Sequence, residues 1–268
     1  MNMELQMLHV PTASLIGMFF SMVLSIGTPI ALFVFLKKKC KADITSFFIG
    51  AGTFLLFAMV LEQGLHYVVT RLTGNLLYEN LWLKALYGGL AAGVFEETGR
   101  FLAMKYGMKK RLSGKNALMY GAGHGGIEAI LIVGLGYISS LVTSFMLNSG
   151  QLEASLKAAV MDENTLQTTM SQLTTLATTP SWQFYLAGVE RLSAIGFHIA
   201  ASYLVCLAIQ NAARKWFFAA IFAHFLMDAL AVIAAAFLPV LVVEILLLVY
   251  VGAFGCLVWS LSPKKDDV

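Results

Sequence analysis

The sequence predicts an all-α polytopic membrane bundle of about seven transmembrane helices. Hydrophobic residues make up 59% of the 268 residues and charged residues only 12%, and the mean hydropathy is +0.77. This composition lies outside the range of soluble globular domains. A chain of this length accommodates seven spans of ~20 residues with short connections. We therefore expect residues 1–268 to form a single transmembrane helical domain.

Seven apolar runs mark the predicted spans. They run approximately from Thr12 to Leu36, Ile44 to Val69, Leu81 to Met104, Asn116 to Leu147, Trp182 to Ile209, Phe217 to Phe237 and Val240 to Leu261. The first run is long enough to span a membrane, and Lys37, Lys38 and Lys39 follow it as a stop-transfer flank. It is therefore predicted to remain as a span and not to be removed as a signal peptide.

Basic residues cluster at one side of the predicted spans. The clusters are Lys37, Lys38, Lys39 and Lys41; Lys105, Lys109, Lys110, Arg111 and Lys115; Arg214 and Lys215; and Lys264 and Lys265. Positive residues gather on the cytoplasmic side of membrane proteins, which places the N-terminus outside and the C-terminus in the cytoplasm of a cell membrane. The same rule explains the net charge of +3 without a nucleic-acid partner. The three cysteines lack CxxC spacing and are interpreted as unpaired thiols.

The connection between the fourth and fifth spans, residues 148–181, is long and rich in Thr, Gln, Ser and Ala. On the predicted topology it is an extracytoplasmic insertion. Its apolar residues recur loosely at helical spacing, which is typical of an amphipathic helix on the outer membrane surface or capping the bundle. They are Leu152, Leu156, Ala159, Leu166, Met170 and Leu173. A solvated loop is the alternative.

Four of the predicted spans carry ionisable residues. An ionisable side chain at the bilayer centre costs roughly 2.5–3.5 kcal/mol on insertion scales, so such residues tend to face a protein interior and mark function. The residues are Glu96, Glu97 and Arg100 in the third span, His124 and Glu128 in the fourth, Glu190, Arg191 and His198 in the fifth, and His224 and Asp228 in the sixth. Glu62 and His66, in the second span, are interpreted as interfacial or packing residues.

The depth of these residues indicates a shared site. Glu97 lies eight residues before Lys105, His124 eight residues after Asn116, and His224 eight residues after Trp216. At 1.5 Å per residue, each lies roughly 12 Å from the cytoplasmic end of its helix. By the same rise His198 lies roughly 18 Å deep, still within reach if its helix tilts.

Helical spacing predicts which groups pair. His124 with Glu128, His224 with Asp228 and Glu96 with Arg100 are all i,i+4 pairs, which lie on one helix face. A carboxylate one turn from an imidazole can orient the ring or join it as a metal ligand, as a metal site or a general base requires. We expect Glu96 to bind Arg100 and Glu97 to face the shared cavity. Glu190 can pair with Arg100 or with Arg191.

These motifs, taken in order, resemble the YhfC family of intramembrane metalloproteases. They are Glu96-Glu97-x-x-Arg100, the glycine-flanked His124 with Glu128, Glu190-Arg191 followed by His198, and His224-Phe-x-x-Asp228. The family is similar to PrsW and more distantly to the CAAX prenyl and bacteriocin-processing proteases. The resemblance implies a peptide hydrolase that opens towards the cytoplasmic half of the membrane. It also implies that Glu97 or Glu96 activates water, that His124 and His224 bind water or metal, and that His198 and Asp228 complete the set.

Two departures from the CAAX pattern bear on the chemistry. Two residues, not three, separate the paired glutamates from Arg100, and Asp228 stands where many CAAX-type sequences have asparagine. An ionised aspartate only accepts hydrogen bonds, which favours metal ligation or a contact to His224. Three histidines with carboxylates suit Zn²⁺ with one position open for water.

The residues also fit two other classes of function. Relays of Glu, His and Asp inside a helical bundle serve proton- or ion-coupled transporters, and a non-catalytic membrane scaffold can retain a polar core. Matched halves with broken helices, which would favour a transporter, are not found in the sequence. The preferred hypothesis is an intramembrane endopeptidase whose partners are the lipid bilayer and a membrane-associated protein or peptide substrate.

Overall fold

The computed structural model describes residues 8–158 and 162–262. Its regular secondary structure is helical throughout, and no strand occurs among the described residues. The predicted fold class, a polytopic helical membrane bundle, is confirmed. Lys264 and Lys265, which contributed to the predicted orientation, lie outside the described residues, and the orientation stays a prediction.

Nine long or medium helices form the described chain. Helices α1 to α4 are α1 (Thr12–Lys39), α2 (Ile44–Thr73), α3 (Leu81–Leu102) and α4 (Gly114–Asn148). Helices α5 to α9 are α5 (Gln151–Ala158), α6 (Glu163–Thr178), α7 (Ser181–Gln210), α8 (Arg214–Phe237) and α9 (Val240–Ser260). A short helix, Leu76–Glu79, precedes α3, and a π-helical turn (Ala103–Met108) and a 3₁₀ turn (Lys109–Arg111) follow it. Two further π-helical turns interrupt α2 at Phe57–Glu62 and α4 at Ile130–Leu135.

Six of these helices, α1, α2, α4, α7, α8 and α9, are long and apolar enough to cross a membrane. Helix α3 has 22 residues and coincides with the predicted third span. It is less apolar because it carries Lys84, Glu96, Glu97 and Arg100. The count of seven spans therefore stays a prediction.

The described residues form two compact units, so the single-domain organisation stays a prediction. The first unit comprises residues 8–26, 130–158 and 162–191, and the second comprises residues 27–129 and 192–262. The predicted insertion at 148–181 belongs to the first unit and contains α5 and α6. Its Leu173 is buried in a core with Val10, Met18, Leu147 and Phe184.

Partly buried residues of the insertion pack on the same core; they are Leu152, Leu156 and Met170. Four of the six apolar positions predicted to share a helix face thus stabilise the first unit by burial. Ala159, which was predicted to share that face, lies outside the described residues.

In the second unit, Asp43 fixes the start of α2. Its side chain accepts a hydrogen bond of 2.9 Å from the backbone N–H of Thr45, the usual contact of an N-cap residue. The backbone N–H of Asp43 donates to Asn116 near the start of α4 over 2.8 Å. The hydrogen bond from the Thr45 backbone, with a further contribution from Arg111, lowers the pKa of Asp43. These contacts hold the starts of α2 and α4 together.

Glycines bring the helices of the second unit into close contact. A Cβ atom at Gly93 of α3 would lie 2.8 Å from the Ile221 carbonyl oxygen of α8. A Cβ atom at Gly125 of α4 would lie 3.0 Å from the Cα of Ile195 in α7. Small residues of this kind let membrane helices pack with their backbones near each other. The charged face of α3 can therefore approach the histidines of the neighbouring helices.

Replacing Gly93 with alanine should separate α3 from α8 and lower the free energy of unfolding by about 1–3 kcal/mol, the usual cost of overpacking. Gly88→Ala on the same helix is the matched control, because no atom lies within 4 Å of the added Cβ. Alanine is favoured over glycine inside a helix by roughly 0.5–1 kcal/mol, so the control should unfold no more easily than the parent protein. Denaturation in mixed detergent micelles measures both variants. Equal stability of the two would contradict the close packing.

Candidate metal centre and active site

An ion pair between Glu97 and Arg100 lies at the centre of the second unit. Both side chains are fully buried. Arg100 Nε donates to Glu97 Oε2 over 2.8 Å, and Nη2 donates to Oε1 over 3.0 Å. This bidentate geometry is the strong form of an arginine–carboxylate contact.

The other N–H groups of Arg100 bind helix α7. Nη1 donates to Ser202 Oγ over 2.5 Å and to the His198 carbonyl oxygen over 3.2 Å. Nη2 donates to His198 Nδ1 over 2.9 Å. With the two bonds to Glu97, five acceptors face the five N–H groups of the guanidinium. Arg100 thus ties α3 to α7 and orients the His198 ring.

The predicted pair of Arg100 with Glu96 is wrong, because Arg100 binds Glu97. Residues three and four apart both lie within reach on a helix, so spacing alone does not separate the two pairings. The tertiary surroundings decide it. Glu97 and Arg100 lie on the side of α3 that packs against α7, where Arg100 finds its other partners. Glu96 instead contacts His124 of α4.

The contacts of His198 determine which of its ring nitrogens carries the proton. Arginine only donates, so Nδ1 of a neutral His198 acts as acceptor and Nε2 carries the hydrogen. Nε2 lies 2.6 Å from Glu128 Oε2. His198 is therefore held between a guanidinium on one nitrogen and a carboxylate on the other.

His224 of α8 has a similar pair of contacts. Its Nδ1 lies 2.9 Å from Glu97 Oε1, and its Nε2 lies 3.7 Å from Asp228 Oδ2. An ionised Glu97 only accepts, so Nδ1 donates and the ring orientation is fixed, as it is for metal-binding histidines. Glu97 thus orients two imidazoles, His224 directly and His198 through Arg100.

His124, the third histidine of the cluster, contacts Glu96. Nε2 of His124 lies 2.8 Å from Glu96 Oε2. Nδ1 of His124 is buried and has no hydrogen-bond partner among the described residues. Glu96 is 7% exposed, whereas Glu97 is fully buried. Glu96 is therefore the less enclosed of the two adjacent carboxylates.

The predicted i,i+4 pairing holds for His224 and Asp228. In the fourth span the structure places His124 against Glu96 of α3 and Glu128 against His198 of α7. The imidazoles lie close together, because the ring centroids of His124 and His198 are 4.7 Å apart and those of His198 and His224 are 5.5 Å apart.

Glu190 and Arg191, the remaining predicted supporting residues, belong to the first unit. There Arg191 donates to the Glu190 carboxylate. Of the two pairings left open for Glu190, the structure contains the one with Arg191. The supporting role of these two residues stays a prediction.

Glu96, His124 and His198 can each offer one ligand atom, and these three atoms lie within 4.8 Å of one another. Ligand atoms around a tetrahedral zinc ion are roughly 3.3 Å apart, given bond lengths of about 2.0–2.1 Å. Imidazole nitrogen and carboxylate oxygen are ordinary ligands of zinc. Nδ1 of His124 is buried and has no hydrogen-bond partner among the described residues. A bound cation would supply the contact that this nitrogen lacks. The residues fit a divalent cation.

Aromatic side chains enclose the cluster. Phe54 of α2 packs edge-on against His124, with ring centroids 5.4 Å apart. Phe197 of α7 contacts the His224 ring at 5.0 Å and stacks on Phe254 of α9. Such walls exclude water and strengthen electrostatic interactions between the enclosed groups.

Glu62, which was interpreted from sequence as an interfacial or packing residue, is buried in the second unit. It is 7% exposed and lies at the end of the π-helical turn of α2. Its Oε1 is 3.3 Å from His66 Nε2. The signal for this pair in the sequence is the i,i+4 spacing of Glu62 and His66 inside an apolar run. His224 and Asp228 have the same spacing.

Comparison with known proteins gives two matches. The family described as "YhfC intramembrane metalloprotease" matches residues 21–248. A relative from Bacillus subtilis (strain 168), "Uncharacterized membrane protein YhfC", is 41% identical over 208 residues, which cover 76% of this chain and 79% of the relative. No solved structure matches the chain at a significant level. The family match includes every residue of the cluster.

Proposed function

The chain belongs to the YhfC intramembrane metalloprotease family, and on that basis we propose that it is an intramembrane endopeptidase. It hydrolyses a peptide bond of a membrane-associated protein or peptide in the cytoplasmic half of the membrane. The observation that carries the proposal is the buried contact of Glu96 with His124 beside His198. This contact places the carboxylate of Glu96, which does not bind Arg100, next to two imidazoles.

The residues that would hold a divalent cation are His124 and His198, with His224 and Asp228 completing the donor set. Glu96, whose oxygen lies within 4.8 Å of the ligand atoms of both histidines, would act as the base beside the cation in this proposal. Zn²⁺ suits these nitrogen and oxygen donors. When bound, such an ion polarises a carbonyl and lowers the pKa of water. Glu97 and Arg100 do not bind it in this proposal; they orient the imidazoles.

Glu96 is the proposed general base. A general base needs a carboxylate that can reach the proton it removes. Both oxygens of Glu97 are occupied by Arg100, and one also by His224. Glu96 has no such ion pair with the arginine, and it is slightly exposed. Glu96 therefore takes the proton from water, and Glu97 has a positioning role.

Glu128 has a separate task at His198. If His198 binds the cation through Nε2, the proton on that nitrogen must leave, and Glu128 Oε2 lies 2.6 Å away to receive it. Arg100, which donates to Nδ1 of the same ring, would keep the ring in position and leave Nε2 as the nitrogen that faces the cation.

Protein purified without added metal should contain about one zinc ion per chain, and His124→Ala and His198→Ala should each lose it, because each removes a ligand. His66→Ala is the matched control, since His66 lies outside the cluster but in the same unit. Elemental analysis by mass spectrometry measures the bound ion. The same metal content in all four proteins would contradict the assigned ligands.

A comparison of peptide termini in membranes tests the proposed activity and requires no chosen substrate. Membranes from cells that produce the wild type are compared with membranes from cells that produce Glu96→Gln, and new termini are enriched and sequenced by mass spectrometry. We expect termini within or next to transmembrane segments that occur only with the wild type. Identical sets of termini would overturn the proposal.

A further inference from the structure

A second string of polar side chains extends from the cluster along α2 and α3. Glu62 lies 3.3 Å from His66 Nε2, and His66 Nδ1 lies 2.7 Å from the Tyr87 hydroxyl. One turn farther along α2, the Thr70 hydroxyl donates to Tyr78 over 3.2 Å. The motifs of the candidate site include none of these residues.

The register of the helices places Glu62 at the depth of His224. Helix α2 runs antiparallel to α3, because Phe57 packs at Gly99 and His66 bonds to Tyr87. Glu62 therefore lies near the level of Gly93. Gly93 in turn packs against α8 between Ile221 and Phe225, which is the level of His224.

Glu62 of α2 and His224 of α8 thus lie at the same level of the second unit. The string therefore begins at the cluster. It ends at the C-terminal part of α2 and the N-terminal part of α3, which is the end of these helices remote from the basic clusters.

Exposure rises from Glu62 and His224 towards the next turn of each helix. The exposed fraction of the side chain is 3% for His224 and 9% for Glu62, and it is 23% for His66, one turn after Glu62 on α2, and 33% for Asp228, one turn after His224 on α8. Charged and polar groups at membrane depth face a protein interior or a water-filled cavity, because facing lipid is costly. The partly exposed members of this string therefore require water beside them.

Neighbouring positions on the same helices have the opposite character. Val68 of α2 is 51% exposed and Leu90 of α3 is 44% exposed. Exposed apolar side chains at these depths suit contact with lipid. The polar string is therefore a narrow stripe between surfaces that suit lipid.

We propose that Glu62, His66 and Tyr87 line a water path that enters from the end of the spans remote from the basic clusters and reaches the cluster at His224 and Asp228. Its purpose rests on the proposed function, because hydrolysis consumes one water molecule for each peptide bond broken. Water thus enters from the side opposite to the proposed opening towards the cytoplasmic half. Glu62 ends the path, where it is a positioning residue for water next to His224.

Cysteine accessibility tests the path. Cys40, Cys206 and Cys256 are first replaced with serine, and single cysteines are then introduced as His66→Cys, Tyr87→Cys and Thr70→Cys. Val68→Cys and Leu90→Cys are the matched controls on the same two helices, and Lys38→Cys marks the basic side. The probe is the membrane-impermeant reagent 2-sulfonatoethyl methanethiosulfonate, applied to intact cells and to inverted membrane vesicles.

We expect the cysteines at 66, 87 and 70 to react at least ten times faster than those at 68 and 90, because a thiol in lipid does not ionise. They should react in the preparation that leaves the cysteine at 38 unmodified. Thr70 is half-buried and lies farthest from the cluster on α2, so Thr70→Cys is the variant least able to disturb folding, and it supports the conclusion if either of the others fails to accumulate.

Two results would overturn the path: equal reaction rates for the path and control positions, or reaction from the basic side alone. The labelling requires neither substrate nor bound metal. If the path positions are labelled in a protein without peptidase activity, the proposed function is refuted and the path stands. If the protein is an active peptidase but these positions are not labelled, the path is refuted and the proposed function stands.

Discussion

Glu97→Leu should lower the free energy of unfolding by about 3–5 kcal/mol, because it leaves the buried guanidinium of Arg100 without its counter-charge. Both side chains are fully buried and joined by two hydrogen bonds. Steric trapping or denaturation in mixed micelles measures the change in the membrane protein. Bound metal should fall as well, since Glu97 orients His224 directly and His198 through Arg100.

The double variant Glu97→Leu/Arg100→Met is the control for the ion pair. Removing both charges leaves no isolated buried charge, so the double variant should be more stable than Glu97→Leu alone. The single variant Arg100→Met gives the cost of the second substitution alone. If the double variant loses the sum of the two single costs in free energy of unfolding, Glu97 and Arg100 do not act as a unit.

Glu96→Gln should reduce the cleavage rate by about 10²–10⁴-fold, the usual contribution of a general base. The amide keeps the size of the side chain but cannot take a proton from water. Since Arg100 does not bind Glu96, folding and bound metal should stay close to those of the wild type. A single-turnover assay on a substrate identified from its new termini measures the rate.

Glu96→Asp separates chemistry from packing at the same position. Aspartate retains the carboxylate but is one methylene shorter, so part of the activity should remain. A Glu96→Gln variant with the wild-type rate would contradict the assignment of the base. A Glu96→Gln variant that loses both metal and activity would instead make Glu96 a ligand.

Hydropathy was sufficient to predict the helical membrane fold. Six of the predicted spans coincide with helices that are apolar enough to cross a membrane. The exception is α3, where the residues that form the site are the same residues that reduce its apolar character. Function and hydropathy conflict in this helix, so its membrane assignment depends on the burial of Glu96, Glu97 and Arg100.

Depth along each helix also predicted which side chains would meet. A rise of 1.5 Å per residue placed Glu97, His124 and His224 at one level, and the structure brings their side chains into one cluster. His198 was expected to lie deeper, and yet its ring is 4.7 Å from His124. Helix packing at Gly125 supplies this proximity, which one-dimensional spacing does not contain.

Rotation about each helix was harder to predict. Arg100 binds Glu97 and not Glu96 because its other acceptors, Ser202 and the His198 carbonyl, lie on α7, on the same side of α3 as Glu97. Glu62, which was interpreted as an interfacial or packing residue, is buried at the end of a π-helical turn. Such turns are frequent at functional sites, but a regular periodicity of 3.6 residues does not reveal them.

The most direct measurement of the central claim determines cleavage and bound zinc in the same purified sample. The wild type should contain about one ion per chain and cleave its membrane substrate. Glu96→Gln should contain the same amount of zinc and fail to cleave, because only the proton acceptor is removed. Cleavage by Glu96→Gln at the wild-type rate, or full activity of a wild-type sample free of metal, would contradict the account.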